Sequence, residues 1–128
     1  MLATWLLTAW DLVLDPSMAA PQMQYVHFWI WHESGPYFGM PLRNLAGWFA
    51  TGLAFITLGR SLWNEREAPR APAVLPFVVY ALNVAWSMVI ALAAGLWPTA
   101  LAAIVFSLAP AALALRTGAE RARPLAQA

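Results

Sequence analysis

The sequence has 128 residues, of which 62% are apolar and only 10% are charged. Soluble domains carry about 25% charged residues, so this composition excludes an ordinary soluble domain and predicts an all-α integral membrane helical bundle. The net charge of +1 and the lack of cysteine exclude a basic nucleic-acid surface, a disulfide framework and a thiolate metal site. We therefore expect membrane lipid, and no nucleic acid, as a partner.

Four apolar stretches predict one transmembrane domain over residues 1–128, because a membrane-crossing helix needs about 20 mostly apolar residues. The first stretch, 2–14, would cover only about 20 Å of a roughly 30 Å hydrocarbon core. It either crosses a thinned bilayer or belongs to a chain whose natural upstream part is missing. The last two stretches adjoin and predict a tight antiparallel hairpin. The predicted spans are about residues 2–15, 41–59, 74–96 and 98–115, with an intervening segment at 16–40 and a tail at 116–128.

The arginines give the expected orientation, because arginine and lysine concentrate on the cytoplasmic side of membrane proteins. Two groups of arginines follow the second and fourth spans, and only Arg43 opposes them. We therefore expect a protein of the bacterial or archaeal cytoplasmic membrane with both termini in the cytoplasm. The arginines that set this orientation are Arg60, Arg66, Arg70, Arg116, Arg121 and Arg123.

Two aspartates interrupt the first span. A carboxylate at mid-bilayer costs about 2.5–3.5 kcal/mol on insertion scales, so such groups usually mark functional sites. Asp11 and Asp15 are spaced i, i+4 and should share one helix face, about 6 Å apart. Two such carboxyls cannot both ionise cheaply in a dry site, so we expect one acid and one base at neutral pH. Alternatively, Asp15 lies at the membrane boundary, where it caps the next helix or pairs with Arg43.

Aromatic residues crowd the segment between the first two spans. Their density is typical of a helix at the headgroup level or of a lid that dips inward, and Gly35-Pro36 predicts a turn that ends such a helix. Because the segment follows the aspartates directly, we expect it to roof a cavity at that membrane face. Its aromatic residues include Tyr25, Phe28, Trp29, Trp31, Tyr37 and Phe38.

His27, His32 and Glu33 lie close together in the same segment. With the aspartates they could supply metal ligands, and either histidine could ligate a haem or chlorophyll. Their spacing matches no metal motif, and two histidines five residues apart do not share a helical face. We therefore predict that the histidines lie at the membrane interface and that the segment binds no metal. Pigment ligation by His27 or His32 stays open.

The second span begins with polar side chains that should lie near the aspartates. Asn44 can hydrogen-bond a carboxylate or a water, and Arg43 can pair with Asp15. Gly47 and Thr51 form a face of small residues that favours close helix packing.

Polar residues are sparse in the later spans. Tyr80, Asn83 and Ser87 fall on one side of the third span, and we favour hydrogen bonds to neighbouring helices over a role in holding a catalytic water. A proton path would need a continuous acidic or histidine chain through the bilayer. The later spans offer only Asn83, Ser87 and Ser107 for such a path.

Two blocks of sequence carry a family resemblance. Residues 8–16 read Thr-Ala-Trp-Asp-Leu-Val-Leu-Asp-Pro, and the second block comprises Phe-Trp-Ile-Trp at 28–31 and Gly-Pro-Tyr-Phe-Gly-Met-Pro-Leu-Arg-Asn-Leu-Ala-Gly-Trp at 35–48. In this order they resemble the CruF-type membrane carotenoid hydratases, namely the bisanhydrobacterioruberin hydratases of haloarchaea and the related bacterial carotenoid 1′,2′-hydratases. The resemblance covers about residues 5–60. Family members are about twice as long, so the chain resembles only their C-terminal half.

The resemblance implies cofactor-free addition of water to the terminal double bond of an acyclic carotenoid, giving a tertiary alcohol. Such chemistry protonates a trisubstituted alkene, after which water captures the tertiary cation. Asp11 or Asp15 would be the acid, and the other would position the water. Aromatic ring faces would stabilise the cation, unless these rings form only an interfacial belt. The implied substrate-binding residues are Trp10, Trp29, Trp31, Tyr37, Arg43, Asn44 and Trp48.

The length difference leaves a second hypothesis open. A half-length relative that lacks the upstream helices could be a non-catalytic membrane subunit. It would bind carotenoid or another pigment, or scaffold a larger complex such as a photosynthetic one. The sequence does not decide between this subunit and an active carotenoid hydratase, nor whether further helices come from a partner chain.

Overall fold

The structure, a computed structural model, describes residues 1–23, 28–63 and 74–122. This part of the chain is all-helical apart from its connections, and its helices are α1 (Leu2–Met18), α2 (Leu42–Leu62), α3 (Val74–Ala93), α4 (Trp97–Ala103) and α5 (Ala109–Ala122). A π-helical stretch, Ile104–Leu108, joins α4 to α5 without a break, so the two form one continuous helix. The prediction of an all-α fold is confirmed for the described residues.

Three helices are long and apolar enough to cross a membrane: α2, α3 and the continuous helix from Trp97 to Gly118. These helices are consistent with the predicted integral membrane protein. The remaining helix, α1, has 17 residues and a length of about 25 Å, which is short for a span. A fourth span and the orientation of the termini stay predictions, and Arg66, Arg70 and Arg123 lie outside the described residues.

The shortest helix lies at the centre of the bundle. α1 packs against α2, α3, α4 and the π-helical stretch, whereas α2 packs mainly on α1. Val13 of α1 is fully buried in a cluster with Val84 and Ala91 of α3 and Ala103 of α4. Because neighbouring helices cover much of α1, polar groups on its inner faces are shielded from lipid.

A glycine allows α2 to approach α1. Gly52 is the buried residue of α2, and a Cβ at this position would lie 3.2 Å from Leu7 and 3.3 Å from Thr4. The prediction that Gly47 and Thr51 form the packing face is wrong. A Cβ on Gly47 would meet nothing within 4 Å, and Thr51 is exposed.

Hydrogen bonds join α3 to α1 and show that the two helices run in the same direction. The Tyr80 hydroxyl donates to the Leu6 carbonyl at 2.8 Å, and the Trp10 indole N–H donates to the Ser87 hydroxyl at 2.9 Å. The Asn83 amide instead donates to a carbonyl of its own helix at 2.8 Å. The predicted interhelical polar stripe is therefore confirmed for Tyr80 and Ser87 and is wrong for Asn83.

A tight turn over residues 94–96 joins α3 to α4, as the predicted hairpin requires. Gly95 in this turn has φ +75°, a left-handed conformation that glycine adopts readily. In the helix that follows, Pro110 has no N–H to donate to the carbonyl of Phe106, four residues earlier. The indole N–H of Trp5 in α1 donates to that carbonyl at 2.9 Å, so the π-helical stretch is fixed to α1.

The described part of the aromatic segment, 28–40, is a folded loop. The predicted headgroup-level helix is therefore wrong for these residues, whereas the predicted turn is present. Isolated bridges pair Gly35 with Gly39 and Tyr37 with Met40, and Gly39 has φ +86°. A Cβ on Gly35 would lie 2.0 Å from the carbonyl oxygen of Met40, so this turn requires glycine.

Candidate functional site

Two carboxyl groups of α1 meet one amide of α2. Asp11 and Asp15 lie on one face of α1 and are only 2% and 4% exposed. The amide nitrogen of Asn44 donates to Asp11 at 2.8 Å and to Asp15 at 2.6 Å. The two carboxyl groups are also within hydrogen-bonding reach of each other. The structure thus brings together the three residues that the sequence analysis placed near one another, and their catalytic role stays a prediction.

The two aspartates differ in their surroundings. Asp15 lines an open groove together with Trp48 of α2. Asp11 does not line the groove, and its Oδ1 atom is buried without a hydrogen-bond partner in the part of the chain that is described. The Asp15 carboxyl therefore faces a space that a ligand can enter, whereas the Asp11 carboxyl lies behind Asp15, away from this space.

The groove beside Asp15, called the aspartate groove below, has a volume of about 760 Å³. The loop 28–40 forms one wall, and the first half of α2 forms the other. The predicted substrate-binding residues that line it are Trp29, Trp31, Arg43, Asn44 and Trp48. Ile30, His32, Glu33, Pro41, Gly47 and Thr51 complete the lining.

Trp29 and Trp31 form an edge-to-face pair in the loop, with ring centroids 6.3 Å apart and an interplanar angle of 72°. The indole nitrogen of each is buried and has no hydrogen-bond partner among the described residues. Buried N–H donors in proteins are normally hydrogen-bonded, and these two indole N–H groups are exceptions. Both tryptophans belong to the loop wall of the groove.

Arg43 pairs with Glu33 at the groove and not with Asp15. Its Nη1 atom lies 3.0 Å from each carboxylate oxygen of Glu33, and both side chains are largely exposed. The predicted pair between Arg43 and Asp15 is therefore wrong. Successive residues of a helix point about 100° apart. Because Asn44 of α2 points towards α1, the preceding residue Arg43 points away from α1.

Tyr37 anchors the loop to α1 and does not line the aspartate groove. Pro16 has no N–H to donate to the carbonyl of Leu12, four residues earlier, and the Tyr37 hydroxyl donates to that carbonyl at 3.0 Å. Burial raises the pKa of the Tyr37 phenol, so the hydroxyl keeps its proton and remains a donor. Because Leu12 lies between the two aspartates in sequence, this bond holds the loop beside them.

We expect Tyr37→Phe to lower the free energy of unfolding by about 1–3 kcal/mol, because the Leu12 carbonyl loses its partner. The variant should also expose the aromatic loop to chymotrypsin, and limited proteolysis in detergent would measure this. Tyr80→Phe is the matched control, since it loses an equivalent bond to the Leu6 carbonyl away from the loop. Equal cleavage of the loop in both variants would contradict the anchoring role of Tyr37.

Trp10 lies on a different side of α1 from the aspartates. Its indole N–H bonds Ser87, and its ring lines a second, largely apolar groove of about 800 Å³ between α1, α3 and α5. The structure therefore does not bring Trp10 together with the other predicted substrate-binding residues. Adjacent positions of one helix diverge by about 100°, which separates Trp10 from Asp11.

The histidines form no metal site in the part of the chain that the structure describes. No group of three or more His, Cys, Asp and Glu side chains there is arranged to hold a metal ion. His32 is exposed at the aspartate groove, and His27 and Tyr25 lie outside the described residues.

Two contributions to the site were missed from the sequence. Met40 is fully buried, and its sulfur lies 3.3 Å from the amide nitrogen of Asn44. The four-residue spacing of Met40 and Asn44 was an available signal. Pro16 leaves the Leu12 carbonyl free, and this is the carbonyl to which Tyr37 binds; the missing N–H of proline was an available signal.

Comparison with known proteins gives a family match over most of the chain. A family model described as "Carotenoid biosynthesis protein" matches residues 1–110. No curated protein and no solved structure matches the chain. The matched range contains Asp11, Asp15, Asn44 and every residue that lines the aspartate groove.

Proposed function

The chain belongs to the carotenoid biosynthesis protein family, and from that membership we propose that it is a membrane carotenoid hydratase. The reaction would add water to the terminal double bond of an acyclic carotenoid, without a cofactor, and give a tertiary alcohol. The observation that carries the proposal is the buried pair of Asp11 and Asp15, joined by Asn44 at the edge of the aspartate groove.

The aspartate pair supports acid catalysis because it cannot easily carry two charges. Asn44 supplies one amide to both carboxyls, and Arg43 is engaged with Glu33. Two carboxylates within hydrogen-bonding reach in a buried site repel each other strongly, so the pair should retain a proton at neutral pH. A retained proton in an apolar setting is what alkene protonation requires.

The proposed reaction has two steps. The π electrons of the terminal double bond take the proton of the carboxylic acid, forming a C–H bond and a cation at the more substituted carbon. A water oxygen then bonds to this carbon, and the surplus proton of that water returns to the carboxylate. The rings of Trp29, Trp31 and Trp48 line the groove, where their faces would stabilise the cation.

Expression of the chain in bacterial membranes that contain lycopene tests this proposal. We expect a hydroxylated product, and in deuterated water we expect one carbon-bound deuterium for each hydroxyl group added. The double variant Asp11→Asn/Asp15→Asn should form none, whereas Thr57→Val should remain active because Thr57 is exposed and bonds only a carbonyl of its own helix. A membrane-inserted protein that leaves all the lycopene unchanged would overturn the proposal.

A non-catalytic membrane subunit that binds carotenoid or scaffolds a larger complex is the second candidate. The exposed surface of α2 favours this candidate. Gly52 is the buried residue of α2, and the exposed apolar side chains of this helix can contact lipid or the helices of another subunit. Both functions would use the aspartate groove, and they differ in the fate of the ligand. Unchanged carotenoid that purifies with the protein in a larger assembly would support the subunit, and a hydroxylated product would support the hydratase.

A further inference from the structure

We infer that the two aspartates have separate roles: Asp15 is the catalytic residue that exchanges the proton with the ligand, and Asp11 is a positioning residue behind it. This inference rests on the proposed hydration and assigns its steps to particular side chains. It replaces the expectation that one aspartate donates the proton while the other positions the water.

The groove reaches only one of the two carboxyls. Asp15 lines the aspartate groove together with Trp29, Trp31 and Trp48, so a double bond lying against these rings can contact its carboxyl group. Asp11 is 2% exposed and is not part of the lining. A ligand in the groove therefore meets Asp15 first.

The contacts of Asp11 fit a supporting role. One of its oxygens receives the Asn44 amide at 2.8 Å, and the other is buried with no described hydrogen-bond partner. Because neither oxygen borders the groove, Asp11 cannot hold a water against a carbon atom there. It can share a hydrogen bond with Asp15 and so keep that carboxyl oriented towards the groove.

This arrangement requires Asp15 to act twice. As the acid, it gives its proton to the alkene carbon and becomes a carboxylate. After water from the groove has bonded to the cation, the same carboxylate takes back the surplus proton. Alkene and water are then consumed in equal amounts, Asp15 is regenerated, and Asp11 transfers no proton to the ligand.

Chemical labelling tests the assignment without any measurement of turnover. Dicyclohexylcarbodiimide is an apolar reagent that modifies protonated carboxyls, and mass spectrometry locates the modified residue. We expect label on Asp15 and not on Asp11, loss of that label in Asp15→Asn, and its retention in Asp11→Asn. Label on Asp11, or equal label on both aspartates, would overturn the inference.

Kinetics of the same single variants complete the test. General acid catalysis contributes about 100- to 10,000-fold, so Asp15→Asn should lower kcat by that order. Asp11→Asn should lower kcat by only about 10-fold with KM nearly unchanged, because asparagine still hydrogen-bonds Asp15. A larger loss of kcat in Asp11→Asn than in Asp15→Asn would overturn the division of roles. If the unchanged protein forms no product but labels only at Asp15, the hydratase proposal fails and the accessible acid is still Asp15.

Discussion

Asn44→Leu is expected to lower hydration by at least about 100-fold, the lower range of a general-acid contribution, and to destabilise the protein. Asn44 is the residue of α2 that donates to both aspartates. Leucine has the same branched arrangement of heavy atoms as asparagine but no hydrogen-bond donor, so two buried carboxyls lose their amide partner. Hydrogen bonds to charged groups contribute about 1.5–3 kcal/mol each. We therefore expect Asn44→Leu to lower the free energy of unfolding by at least the value of one such bond.

Thermal unfolding in detergent and product analysis in lycopene-containing membranes would measure both effects. Asn83→Leu is the matched control, because Asn83 is also an asparagine within a helix and donates only to a carbonyl of α3. We expect that control to retain activity. In the Asn44→Leu background, a further Asp11→Asn change should recover part of the lost stability, since it removes one unpaired acid. Wild-type activity in Asn44→Leu would show that the amide bridge is not part of the catalytic site.

Gly35→Ala should prevent the turn in the loop from closing. The added Cβ would lie 2.0 Å from the Met40 carbonyl oxygen, which is backbone and cannot move without opening the turn. Because the same turn presents Tyr37 to α1, the loop should detach and the aspartate groove should lose one wall. We expect loss of hydration activity and rapid chymotrypsin cleavage within the loop.

Gly59→Ala is the control for this variant, since a Cβ at Gly59 would meet nothing within 4 Å. Alanine is favoured over glycine in a helix by about 1 kcal/mol, so the control should be at least as stable as the unchanged protein. The two variants can be compared by melting temperature and by cleavage rate. Similar behaviour of both would contradict the close packing of the turn.

The sequence predicted the features of this fold that depend on local pattern. Long apolar stretches predicted α2, α3 and the following helix because only a helix satisfies its own backbone groups in lipid. The i, i+4 spacing was enough to predict that Asp11 and Asp15 share a face. Asn44 was placed near them because the chain must return to the same membrane face after the loop.

The wrong predictions concern the rotation of helices about their axes. Hydropathy does not fix whether Gly47 or Gly52 meets α1, or whether Arg43 or Asn44 meets the aspartates. A shift of one residue rotates a side chain by about 100°, so a small error in phase changes the partner. The bond from Tyr37 to Leu12 depends on tertiary contact between distant segments, and no local pattern specifies such a contact.

The central position of α1 has a consequence for the order in which the protein assembles. Each aspartate opposes transfer of an isolated helix from water to lipid by about 2.5–3.5 kcal/mol, and α1 is also short. The more apolar α3 and the continuous helix from Trp97 carry no such groups within their apolar windows and can enter the bilayer as a pair. α1 would then pack against helices that are already inserted. Trp5 would donate a hydrogen bond to the Phe106 carbonyl, and Trp10 would donate one to the Ser87 hydroxyl. α1 would thus reach its final depth after helices that follow it in the chain.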